Sequence, residues 1–420
     1  MLQALPYHLK VRDHFAQQTK TWNFFAAGKT KEDQLAQYKT ELLKNTYKFD
    51  IKADAAIYEK VNIAKNKLGL EQLVVTVYQA QYTDEMNASI VYLNNEAHIV
   101  FSGRITQLLD EQELLAILAH ELTHIKLYSM LQGELETAER IINAIAGNYN
   151  SEPAYFETAR LYRLYTEIFC DRGAYTVVED TAPVITSLVK TATGLDKVSA
   201  ESYCKQAEEI FSTGGSIKAA TISHPENFIR ARAIQLWHEK KEAAEPEIIA
   251  MIEGITDLDQ LDVFKQKDLS LLTRKFMQLL LKPNWFRSAL VTNMAKQYFA
   301  DFELDEETTA DEQFIESISN AHSSIKDYLG YVVLDFALVD GSLEQVPFGW
   351  AFQFTENMQM KEVFDAIVKK ELQLSDKKLQ QHKQNTMAAW VKFENLKISQ
   401  FENEAATSLP TVGKLENSTS

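Results

Sequence analysis

A chain of 420 residues with 43 Lys+Arg against 59 Asp+Glu carries a net charge of −16, which argues against nucleic acid or an anionic membrane as its default partner. Its length allows two or three domains and a sizeable core. Two cysteines do not make a disulfide scaffold, no charged-then-apolar leader opens the sequence and no apolar run reaches about 18 residues, so a soluble, cytoplasmic protein without a membrane span is expected.

Residues 1–70 read as two or three helices, with Thr30-Lys31-Glu32-Asp33 as one start and Lys67-Leu68-Gly69 as a stop. Segments Leu73–Tyr78, Ser89–Leu93 and Ala97–Phe101 are rich in branched and aromatic residues and read as strands of a small sheet. His98 on the third is a lone histidine and reads as structural. Next comes an apolar helix. Asp110 suits its N-cap, Glu113 at the third position makes a capping box, and Leu109 can staple against Leu114. This helix carries His120-Glu121-Leu122-Thr123-His124. Helical residues turn about 100° each, so the two histidines lie about 40° apart on one face. That spacing suits two imidazoles on one Zn²⁺, with Glu121 beside them as general base on a water the metal activates. The plainer alternative is a core helix whose histidines satisfy each other.

A zinc hydrolase needs a third protein ligand and an open position for water. No third His follows closely. Residues 126–222 continue as helices broken near 147–153 and at Gly214-Gly215, and Arg160–Ala174 places Glu167 and Asp171 on one helical face. Glu167 can complete a His₂Glu site, and Asp171 can accept the free N–H of a ligating imidazole. Alternatively the two acids pair with Arg163 or Arg172. Cys170 reads as packing. Further on, Ser223-His224-Pro225 precedes a helix with Arg230 six residues after His224, either as part of the site or as a helix entrance with Pro in the first turn. Arg232 reads as solvent-facing.

In this order the three elements resemble the M48 family of zinc metallopeptidases, gluzincins that include bacterial HtpX and the CAAX-processing enzymes. Asn87–Val91, Ile99–Gly103 and Ala64–Leu70 also fit, so the resemblance spans roughly residues 50–240. Thr123 stands where the family often has Gly, and Cys170 where a small Ala is common. The resemblance implies an α+β, mostly α chain: a zincin-like peptidase domain (71–240, led in by helices 1–70) with a small sheet packed on the zinc helices, then an all-α domain. It implies Zn²⁺ on His120, His124 and Glu167, Glu121 as general base and then acid, Asp171 orienting a ligand, His224 stabilising an oxyanion and Arg230 bracing the site. An edge strand would bind substrate main chain. The implied activity is a metalloendopeptidase acting on polypeptides, with a role in protein quality control; endopeptidase is favoured over aminopeptidase activity because no Gly-x-Met-Glu-Asn-like segment lies upstream to hold a substrate amino terminus.

The charged stretch 239–246 reads as a linker, and 247–400 as a helical bundle of regulatory or interaction type. Tyr328–Glu344 resembles TerB-like helical domains, though Asp340-Gly341 fits a plain helix stop. The acidic block 301–307 reads as a solvated loop, and Trp350, Phe352, Phe354 and Met358 as core. The tail, 401–420, reads as disordered. The competing function is a catalytically silent or latent zinc-binding scaffold whose C-terminal domain holds a regulatory partner; the intact Glu121 weighs against it.

Overall fold

Branched residues and alternation produce the expected strands, joined by one more, in a four-stranded sheet of a computed structural model that describes residues 2–27, 32–93, 95–213 and 218–407. The strands are β1 (Thr46–Lys48), β2 (Val74–Ala80), β3 (Asn87–Leu93) and β4 (Glu96–Ser102), ordered β1-β2-β4-β3. β2 and β4 run parallel with Val77 opposite Ile99, while β3 pairs antiparallel with β4 and places Ile90 against Ile99. β3 is therefore an edge strand. β1 escaped the sequence reading because three residues, with Tyr47 exposed, carry no alternation to detect. His98 is buried in the sheet with Nδ1 at 3.3 Å from the Tyr78 hydroxyl.

Helices α1 (Pro6–Ala16), α2 (Thr19–Ala26), α3 (Glu32–Asn45) and α4 (Ala55–Leu68) flank these strands in sequence. The start expected at 30–33 falls partly on residues 28–31, outside the described residues; α4 stops at Gly69, whose φ of 68° is the left-handed cap glycine supplies cheaply. After the short α5 (Ile105–Leu108), α6 (Glu111–Ser129) opens with both halves of the capping box: Asp110 accepts from the Gln112 and Glu113 amides, and Glu113 accepts from the Asp110 amide. It is buried on almost every side, by α4, α8 (Pro153–Val178), α9 (Thr181–Thr193) and β3, so it lies at the centre of the fold. α7 (Glu134–Ala146) precedes α8, and α10 (Ala200–Ser212) and α11 (Asn227–Lys240) follow α9. The break expected at Gly214-Gly215 lies outside the described residues. Pro225 does not open α11, whose N-cap is Glu226.

Two compact units divide between Ile255 and Thr256. The charged stretch 239–246, expected as a linker, is instead folded into the first: a tight turn over Lys241–Ala244 leads into α12 (Glu245–Glu253), Glu245 accepts two hydrogen bonds from Arg172 at 2.6 and 3.2 Å, and Ile248 is fully buried. Charge misled the reading because these charges find partners. The second unit is all helical: α13 (Val263–Leu280), α14 (Ala289–Tyr298), α15 (Glu312–Ser319), α16 (Ser323–Leu338), α17 (Val346–Asn357), α18 (Lys361–Glu371) and α19 (Asp376–Thr407). Its own core includes Phe276, Leu329, Phe336, Phe352, Phe354 and Met358, with Trp350 packed against it. Asp340 closes the turn after α16 by accepting from the Ser342 amide and hydroxyl. Of the expected tail, residues 401–407 continue α19 and 408–420 lie outside the described residues. Among the described residues no helix is long and apolar enough to cross a membrane.

α1 places His8 beneath Tyr162 and Phe169 of α8, fully buried, with Nε2 at 3.3 Å from the Thr166 hydroxyl. Burial pushes this imidazole down to about 3. The unfolded chain, with an ordinary value of about 6.5, therefore takes up the proton first as pH falls, and the folded state loses stability between about 6.5 and 3. At pH 5 that loss is about 2 kcal/mol. Denaturant unfolding at pH 7 and pH 5 should show the wild type losing about that much more than His8→Leu; parallel losses in the two proteins would refute the assignment.

Candidate metal centre

α6 and α8 are both interior helices, so polar groups they turn inward must find partners there. His120, Glu121, His124, Glu167, Asp171, His224 and Arg230 all line one cleft of about 390 Å³. His120 Nε2 stands 3.4 Å from Glu167 Oε2, and His124 Nε2 stands 3.7 Å from Oε1 of the same carboxylate. His224 Nε2 also lies 3.7 Å from Oε1, on a side chain that is 61% exposed. Arg163 and Arg172 do not pair with these acids: Arg163 reaches Asn143 and Arg172 reaches Glu245.

Behind the cluster, Arg230 clamps Asp171 with two hydrogen bonds, Nε to Oδ2 at 2.8 Å and Nη2 to Oδ1 at 2.6 Å. Burial alone would raise the Asp171 carboxyl, but the guanidinium and the neighbouring hydrogen bonds hold it below its ordinary value. An ionised carboxylate only accepts, so His120 Nδ1, 3.1 Å from Asp171 Oδ1, carries the proton and donates it. Nε2 is thereby the nitrogen turned to Glu167. Burial opposes charge on His120, yet its hydrogen bond to Asp171 and the nearby Glu167 carboxylate carry it up to about 10; the same acidic surroundings favour any cation at Nε2. His124 is pushed down to about 4, chiefly by burial, which leaves a neutral imidazole with a lone pair to give. Glu167 is held well below the ordinary carboxylate range because His120, Arg230 and His124 outweigh its burial. Burial lifts Glu121 to about 7.

Two neutral-capable imidazoles and one ionised carboxylate are the donor set of a His₂Glu zinc site. Ligand atoms at about 2.0–2.2 Å from one ion sit about 3.3 Å apart in a tetrahedron, close to the separations from Glu167 to the two histidines. Glu167 Oε2 is buried and has no well-formed hydrogen bond, an unmet acceptor aimed into the cluster. The residues fit the ion. Cys170 also brings its sulfur near: the His120, His124 and Cys170 ligand atoms lie within 4.8 Å of one another and could hold a metal. A thiol must lose its proton to bind zinc, and burial beside Glu167, Asp171 and Glu121 pushes Cys170 well above its ordinary value. Glu167, already ionised, is the better donor.

Three supporting residues were missed in the sequence. Gly173 of α8 faces Thr123 of α6 so closely that a Cβ there would stand 2.0 Å from the Thr123 hydroxyl oxygen. The glycine is on the opposite helix from the threonine it accommodates, so spacing within either helix gives no sign of it. Arg160, two turns before Glu167, donates to the Ala219 and Thr221 carbonyls at 3.1 and 3.0 Å and so ties down the loop that carries His224. Lys190 of α9 reaches Glu113 at 2.7 Å and fixes α9 to α6.

Comparison with known proteins agrees with this geometry. Residues 52–238 match the family model described as peptidase family M48. The plastoglobule-localized metallopeptidase 48, chloroplastic, of Arabidopsis thaliana is 28% identical over 160 residues, covering 34% of this chain and 46% of that protein. This chain thus spans less than half the length of that relative. No solved structure gives a significant match.

Two outcomes are expected. Gly173→Ala should destabilise the fold by about 1–3 kcal/mol through overpacking and weaken zinc binding, and adding Thr123→Gly should restore both; failure of the second change to rescue would show that helix spacing is not the cause. Asp171→Asn should weaken zinc binding by roughly 10–100-fold, as measured by competition with a chelator dye, because the His120 tautomer is no longer enforced, and should also lower stability because the buried Arg230 loses its counter-charge.

Proposed function

We propose that this chain, whose residues 52–238 match the model of peptidase family M48, is a zinc-dependent endopeptidase acting on extended polypeptides. The observation that carries the reading is the convergence of His120 Nε2, His124 Nε2 and the Glu167 carboxylate, with one oxygen of Glu167 buried and unmet. Those three residues would hold the ion, which when bound supplies Lewis acidity and makes a water nucleophilic near neutral pH.

The chain's own groups do the rest. Asp171, fixed by Arg230, keeps the His120 proton on Nδ1 and the ring in place. Glu121, adjacent to His120 in the same helix and buried in the cleft, takes a proton from the attacking water and returns it to the departing amine. His224, at the mouth and 3.7 Å from Glu167, is placed to donate to the oxyanion that develops on the scissile carbonyl. Arg160 keeps its loop there. The edge strand β3 runs along the cleft through Asn87–Ile90 and can pair with substrate backbone.

Main-chain pairing is indifferent to sequence, which suits clearance of damaged or unfolded chains. Endopeptidase action is favoured because, among the described residues, the carboxylates lining the cleft are those of the metal cluster, with no separate one to hold a substrate amino terminus. Cys170 and Cys204 are both free and buried, consistent with a reducing, cytoplasmic setting.

Zinc content and casein hydrolysis, measured together for the wild type and Glu121→Gln, test the proposal. About one zinc per chain in both, with hydrolysis reduced by at least a hundredfold in the variant, is the expected result. Zinc in both with no hydrolysis in either would instead favour the silent scaffold, and no zinc in either would remove the site.

A further inference from the structure

We propose that Cys170 gives the centre a second ligand set, His120, His124 and Cys170, which captures thiophilic cations such as Cd²⁺ in competition with zinc. The inference goes beyond the peptidase reading and needs only the two imidazoles that reading also uses. Glu167 and Cys170 are three positions apart on α8, so one helix presents both side chains on the same side. The Glu167 carboxylate stands 3.4 Å from His120 Nε2 and 3.7 Å from His124 Nε2. The ligand atoms of His120, His124 and Cys170 all lie within 4.8 Å of one another. Two different third donors, one oxygen and one sulfur, therefore face a single pair of imidazoles.

A core cysteine ordinarily packs among apolar groups. Cys170 is free and fully buried, yet its neighbours are two imidazoles and a carboxylate whose Oε2 is buried and has no hydrogen bond. That unmet acceptor marks the cluster as a place for a cation, independently of the thiol. Cys204, the other cysteine of the chain, is buried on α10 and belongs to no such group among the described residues. Which third donor an ion takes follows from its softness: carboxylate oxygen suits hard and borderline ions, thiolate sulfur soft ones. Zinc is borderline and is served by Glu167; Cd²⁺ is softer and bonds sulfur more strongly. The thiol proton passes to solvent as the metal–sulfur bond forms, with no change in oxidation state. An ion reaches the cluster through the cleft, which half-buried His124 lines. Both sets use the same two imidazoles, so a chain that holds Cd²⁺ on Cys170 cannot hold zinc on Glu167. Thiophilic ions should therefore displace zinc, and Cys170 sets how readily.

The test uses full-length protein stripped of metal by a chelator and refilled with Cd²⁺ or Zn²⁺, as wild type, Cys170→Ala, Cys170→Ser and Cys204→Ala. With about one equivalent of Cd²⁺, the wild type and Cys204→Ala should show a thiolate-to-metal charge-transfer band in the ultraviolet, and both Cys170 variants should lack it. Cd²⁺ affinity, read by competition with a chelator dye, should fall by at least about tenfold in the Cys170 variants, while zinc affinity changes by less than about threefold. Thermal unfolding identifies any variant that does not fold, and Ser keeps the size of the thiol where Ala leaves a small cavity. Should both Cys170 variants fail to fold, the pair of wild type and Cys204→Ala still decides: with two cysteines in the chain, a band kept in Cys204→Ala belongs to Cys170, and a band lost there does not. No band in the wild type, a band that survives removal of Cys170, or equal Cd²⁺ affinity in wild type and folded variants overturns the second ligand set. A Cys170-dependent band in a protein whose zinc form does not hydrolyse casein leaves the ligand set standing and overturns the peptidase reading alone.

Discussion

The close approach of α6 to α8 is the constraint on which the rest of the first unit depends. The two histidines belong to one helix and their carboxylate partner to the other, so the separation of the helix axes sets whether three donor atoms can meet. Gly173 removes a side chain at the contact, and Thr123 fills the space it leaves. Thr123 is fully buried and returns its hydroxyl to the Ala119 carbonyl of its own helix, so it adds bulk without an unmet polar group. The bulk of Thr123 is thus accommodated by the facing helix.

Burying this many charges is costly, and a fold optimised for stability alone would avoid it. Asp171 and Arg230 offset the cost mutually through a bidentate pair. Glu167 is less well served: one of its oxygens lacks a well-formed hydrogen bond, with Arg230 Nη2 at 3.5 Å and His120 Nε2 at 3.4 Å. Unsatisfied groups of this kind concentrate at functional sites, where the missing partner is supplied by an ion or substrate. The acids behind the histidines and the histidines themselves form one coupled unit, so changing any member alters the protonation of the others.

The site is framed by elements with different tasks. α8 carries Arg160, Glu167, Asp171 and Gly173 in succession, and so combines loop anchor, candidate ligand, tautomer control and helix spacing in one rigid rod of 26 residues. α6 brings the imidazoles and the candidate base. The edge strand β3 and helix α9 line the cleft without carrying any of the charged cluster, and both are held in place by contacts with α6. Sites built on helices and strands are better positioned than sites on loops, and His224 is the one member of this group on a loop. Its anchoring by Arg160 compensates for that.

Much of this was legible in the chain itself. The spacing of His120 and His124, the capping box of Asp110 and Glu113, the three longer strands and the i, i+4 relation of Glu167 to Asp171 are local properties, written in residues near one another and governed by the 3.6-residue turn or the two-residue pleat. The choice of partner was not local. That Asp171 takes Arg230 while Arg172, its neighbour, takes Glu245; that 239–246 packs instead of linking; that a glycine on one helix makes room for a threonine on another: each depends on residues 50 or more positions apart meeting in a dense interior. Local sequence determines which face a side chain occupies. Only the packed structure decides what stands opposite it, because that choice is made by volume and charge complementarity between helices.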